Sequence, residues 1–92
     1  MQYKIRIDKK TLILRSAVGE IQNEIEKTVS KEAAIDFSQV VFVSGSFADE
    51  LLNMINIFSK KGIRVKLIHL KGDVRKMISV IKKRKLSIGK AT

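Results

Sequence analysis

The side chains best placed for chemistry lie in one short run, Ser44-Gly45-Ser46-Phe47-Ala48-Asp49-Glu50-Leu51. It follows a strongly apolar stretch and opens a helical stripe. A hydroxyl at such a turn can cap the free amides of a helix. Ser46 is followed three places later by Asp49, which approaches a capping box, and Asp49 with Glu50 puts negative charge where a helix dipole favours it. By its position Ser46 is a plain cap or a residue that meets a partner. If the turn is a docking surface, Ser44, Phe47, Asp49, Glu50 and Asn53 are the residues expected to meet a partner. Phe47 has the plainer alternative of a core side chain.

Other chemistries are poorly served. His69 is the only histidine and there is no cysteine, so no pair of nitrogen or sulfur ligands exists for a metal. Asp36 interrupts an apolar run and reads as a strand-end residue capping a bend at Ser38-Gln39 rather than as an acid catalyst. No glycine-rich phosphate loop, Ser-His-Asp spacing or carboxylate pair stands out. The expectation is a non-catalytic protein with no cofactor and no metal.

The net charge of +10 is unevenly spread. Residues 61–92 carry eleven basic side chains against Asp73 alone, whereas residues 31–60 are slightly acidic. Arg75, Lys76, Lys82, Lys83, Arg84 and Lys85 fall largely on the outer side of a last helix. They form a solvated face, or they contact an anionic partner such as nucleic acid, lipid or an acidic protein. The segment has no aromatic residue for base stacking and no helix-turn-helix or RNA-binding signature. A small nucleic-acid-binding protein using residues 61–90 is accordingly the alternative reading.

The elements that must position these residues follow from periodicity. Tyr3, Ile5 and Ile7 alternate with charged residues, as in a strand with one buried face. Thr11 to Leu14 reads as a short strand paired with it. Val18, Ile21, Ile25 and Val29 make one stripe of a helix near 17–29, with Ser16 offered as N-cap. Ala33 to Val43 reads as one central strand bent near Ser38-Gln39. Phe47, Leu51, Met54, Ile55 and Phe58 predict a second helix ended by Gly62, and Ile63 to Leu70 a further strand. Val74, Met77, Ile78 and Ile81 predict a third helix with Asp73 as N-cap. Such alternation favours parallel central strands with right-handed crossovers.

Asp36-Phe37-Ser38, Phe42, Ser44 and the run Ser46 to Leu51 resemble the signature of a STAS-like group of bacterial proteins of unknown function, related to the STAS domain of anti-sigma factor antagonists. The resemblance runs from about Ile5 to Arg84. It implies a single small α/β domain over residues 1–86, with a mixed four- or five-stranded sheet and about three helices mainly on one face. A flexible basic tail is expected at 87–92. The resemblance also implies a regulator of transcription that binds a protein partner, such as a histidine-kinase-like ATPase or anti-sigma factor, and is switched by phosphorylation at the position of Ser46. Two places depart from the antagonist pattern. Ser44 stands where an Asp is usual, and Phe47-Ala48-Asp49 replaces a Gly-Leu-Gly. The first residues lack the apolar run of a signal peptide, and no stretch approaches the ~20 apolar residues of a membrane span, so a cytoplasmic location is expected.

Overall fold

The computed structural model describes the backbone of residues 2–91 and the side chains of residues 2–85. Its elements are β1 (Gln2–Arg6), β2 (Thr11–Leu12), α1 (Ala17–Lys27), β3 (Glu32–Asp36), β4 (Phe42–Val43), α2 (Gly45–Lys60), β5 (Arg64–Ile68) and α3 (Gly72–Ala91). The expected tail at 87–92 falls on residues whose side chains lie outside the described set.

Every strand pairing among the described residues is parallel. β3 lies between β1 and β5, with Ile5 and Leu67 both opposite Ile35. β2 and β4 form a separate two-stranded pair. The mixed single sheet therefore does not form, and β2 does not fold back onto β1. The reason is local. Lys9-Lys10 lacks the Gly or Asn that a two-residue hairpin needs to reach positive φ. The chain instead continues forward, and the Lys10 carbonyl accepts the N–H groups of Val41 and Phe42. β2 thus lies beside the continuation of β3.

The predicted single strand at 33–43 is likewise two strands. Asp36 accepts the Ser38 N–H at 2.8 Å, and Val40 N–H donates to the Phe37 carbonyl at 2.9 Å. This side-chain-stabilised turn ends β3.

The three helices build one core on one side of the sheet. Val18, Ile21 and Ile25 of α1, Phe47, Leu51, Met54 and Phe58 of α2, and Val74, Ile78 and Ile81 of α3 join Ile5, Ile7, Ala33, Ile35 and Phe37 from β1, β3 and the residue beyond each. α1 packs on β1, α2 on β5, and α3 on α2 and β4. Helix ends differ from expectation in three places. α1 stops at Lys27, leaving Val29 fully exposed rather than in the stripe. Ser16 makes no side-chain cap. Asp73 lies inside the first turn of α3, since Arg75 N–H already donates to the Lys71 carbonyl. At the end of α2, Gly62 adopts φ of 85°, and the Gly62 and Ile63 N–H groups close on Ser59 and Phe58. That is the left-handed stop expected of a glycine there.

Candidate functional site

The turn from β4 into α2 is where the sequence placed its candidate residues. Val43 is buried, and α2 begins at Gly45. Ser44 is the N-cap: its backbone is extended, and its Oγ accepts the Phe47 N–H at 3.0 Å. The same hydroxyl donates to the carbonyl of Ile13, tying the cap to the segment after β2. Capping by Ser46 is therefore corrected. Ser46 sits within the first helical turn and is exposed to water. The sequence misled because both serines flank Gly45, and either could satisfy a free amide three places on.

This shift moves the carboxylates. No acidic residue occupies the first turn of α2, so Asp49 and Glu50 are not dipole partners. They serve as anchors instead. The Arg15 guanidinium donates to Asp49 Oδ2 at 3.1 Å and to Glu50 Oε1 at 3.2 Å. Lys85 Nζ reaches Asp49 Oδ1 at 2.7 Å and Asn53 Oδ1 at 2.6 Å. Hydrogen bonding from Lys85, and then from Arg15, holds the Asp49 carboxyl below its ordinary pKa. The cluster pins α2 to α3 and to the chain leading into α1. Asp49, Glu50 and Asn53, expected to face a partner, are engaged within the molecule. Lys85, grouped with the free cations of the last helix, is engaged too. Arg75, Lys76, Lys82, Lys83 and Arg84 remain exposed.

Phe47 is fully buried among core side chains, which corrects its assignment as a partner contact. As the N3 residue of α2, its place is fixed by the Ser44 cap.

The exposed groups around the turn that sequence reasoning missed are apolar. Ile13, Leu14, Val41, Phe42 and Val80 are between 40% and 68% exposed. They are five of the seven exposed large hydrophobic residues among those described; the others are Val29 and Ile57. All five lie on segments bordering the turn. Thr11 of β2 is opposite Phe42, Ser44 bonds Ile13, and Phe42 lines a groove of about 450 Å³ with Met77, Val80 and Ile81 of α3. Lys76, Arg84 and Asp73 rim that groove. The signal was available in sequence only as apolar residues that outnumber the places on a buried face.

Asp36 is 6% exposed, at the carboxyl end of β3. It accepts His69 Nδ1–H at 2.9 Å as well as the Ser38 amide, and Lys4 Nζ lies 3.9 Å away. The His69 hydrogen bond, then that from Ser38, lowers its pKa to about 2. His69 holds φ of 59°, a left-handed conformation unusual outside glycine. No group of three metal-ligating side chains occurs among the described residues, and no described helix is long and apolar enough to cross a membrane. No protein-family model, curated protein or solved structure matches this chain.

Proposed function

We propose that this chain is a non-catalytic, STAS-like regulatory module that binds a protein partner at the β4–α2 turn, with Ser46 as its switch. The observation that carries the reading is the apolar patch. Contiguous exposed apolar surface rimmed by charge marks a protein-binding site far more than scattered residues do. Here Phe42 and Val80 line a groove beside Gly45, and the exposed Ile13 is tied to Ser44, both next to an exposed serine at the helix start. A histidine-kinase-like ATPase is the partner class that the resemblance supplies.

The switch would work through Arg15. A phosphate on Ser46 sits one turn before Asp49 and Glu50, which already share that guanidinium. It competes for Arg15 as a stronger acceptor and repels both carboxylates. The segment carrying Ile13 and Leu14 then exchanges its Arg15 tether to Asp49 and Glu50 for one to Ser46, while Ser44 still holds Ile13, and the apolar patch changes shape.

The test is capture of a purified histidine-kinase-like ATPase by the tagged chain. Wild type should capture it, and Ser46→Glu and Phe42→Asp should each weaken capture at least tenfold, about 1.4 kcal/mol. Lys82→Glu with Lys83→Glu should leave it unchanged. Loss only in the charge-reversed variant, with nucleic acid in the eluate, would replace this reading by the basic-face one.

A further inference from the structure

Among the described residues, the core side chains of the helices all gather on one face of the sheet. Side chains alternate along a strand. Tyr3, Ile5, Ala33, Ile35, Val65 and Leu67 point into the core or pack against it. The intervening residues of the three strands therefore share the opposite face. Parallel sheets occur almost only with both faces covered, yet Lys4, Arg6, Arg64 and Lys66 are exposed here. Their charges show what kind of layer can cover them.

The four cations form two ridges. Lys4 and Arg6 stand on β1, and Arg64 and Lys66 on β5, with β3 between. Two strand spacings set the ridges about 10 Å apart, and the cations within a ridge about 7 Å apart. Lys4 and Lys66 are the register partners of Ala34, a small, fully buried residue at the centre of the face that lies outside the main core cluster. Of the two carboxylates between the ridges, Asp36 is buried and held by Ser38 and His69. Lys4 lies 3.9 Å from Asp36 and Arg6 4.0 Å from the exposed Asp8, both long contacts, and Glu32 is the one other, partly open acid against four exposed cations. Arg64 and Lys66 make no ion pair among the described residues.

We propose that this exposed sheet face binds the phosphate backbone of a single-stranded nucleic acid, through Lys4, Arg6, Arg64 and Lys66. A protein partner needs desolvated anchors, above all aromatic ones, and the face offers only the half-buried Ile68, Ala34 being fully buried. Phosphate contacts need none. A duplex is read by an element that enters a groove, and a flat three-stranded face presents no such wedge. With no aromatic residue to stack on bases, binding is insensitive to sequence and steeply dependent on salt. The site is separate from the α3 cations and from the turn into α2, so it stands or falls independently of the partner reading.

Fluorescence anisotropy of a labelled oligothymidylate of about 16 nucleotides, the upper end of single-strand site sizes on small folds, tests it. Titrations span about 50–200 mM salt. Wild type should bind, with affinity falling steeply as salt rises. Lys4→Gln with Lys66→Gln should weaken binding roughly tenfold or more, and lower the slope of log affinity against log salt by about 1.4. Arg6→Gln with Arg64→Gln is a second pair with the same expectation, and an unchanged urea midpoint certifies either fold. Lys82→Gln with Lys83→Gln should retain binding. Equal loss in that α3 control, no binding by wild type at low salt, tighter binding of the matching duplex, or equal competition by polyglutamate would each overturn the proposal.

Discussion

Two serines separated by one glycine have different tasks, and stability measurements should separate them. Ser44 satisfies the Phe47 amide and a carbonyl from another segment. Replacing an N-cap serine by alanine removes about 1 kcal/mol, so Ser44→Ala should lower the urea midpoint clearly. Ser46→Ala, at an exposed helical position, should shift stability by less than about 0.5 kcal/mol. Reversal of that order would mean that Ser46 is the cap. Asp36 gives a pH prediction at the same scale. Its folded pKa of about 2 lies below the ordinary 3.8. A depressed acid contributes stability in full above its unfolded pKa and loses it as pH falls through the folded value. The urea midpoint should therefore fall between about pH 4 and pH 2, and part of that fall should vanish in Asp36→Asn. An unchanged acid limb in the variant would show that Asp36 contributes nothing to it. The role of Asp36 at the Ser38-Gln39 bend was legible, because an aspartate two places before a free amide has a simple mechanism. Its contact with His69 was not, because that pairing depends on β3 and β5 becoming neighbours.

At the scale of elements, sequence showed what each segment is better than what it touches. Three apolar stripes of helical period gave three helices, and Gly62 marked the end of α2 correctly. The strand order needed more. Periodicity in Thr11–Leu14 says strand but names no neighbour, and β2 found β4 only because the chain ran forward past Lys10. The roles of Asp49 and Glu50 turned on a shift of two residues: starting α2 at Gly45 instead of Phe47 takes them out of the first turn and into the grip of Arg15 and Lys85. A double-mutant cycle checks this junction. Partly exposed ion pairs couple by about 0.2–1 kcal/mol, so Asp49→Ala and Lys85→Ala should be non-additive by that amount. Strict additivity would mean that the pair does not hold α2 to α3. Phe47→Ala probes the same junction from the core side. Losses for buried phenylalanine are about 3–5 kcal/mol, a large share of the roughly 5–15 kcal/mol that holds a domain. A folded, fully stable Phe47→Ala protein would return Phe47 to the surface role that burial denies it.

At the scale of the molecule, charge and structure pull in opposite directions. The chain carries +10 on 92 residues, and its cations concentrate in two separate regions, the exposed sheet face and the outer side of α3, with others such as Lys9, Lys10, Lys31, Lys60 and Lys61 scattered elsewhere. Self-repulsion of that size opposes the compact state. The ion pairs that favour folding are few and mostly exposed, so each contributes little. Salt acts on both. Raising ionic strength from about 0.01 M to 0.1 M shortens the screening length from about 30 Å to 10 Å, within a molecule whose longest extent is 36 Å. Repulsion between the two basic regions is therefore screened first, while contacts near 3 Å, such as Arg15 to Asp49 and Glu50, are screened least. The urea midpoint should rise as sodium chloride is added over this range. A midpoint that falls instead would show that the short pairs around the β4–α2 turn outweigh the long-range repulsion. The turn, rather than the core, would then set how stable this protein is.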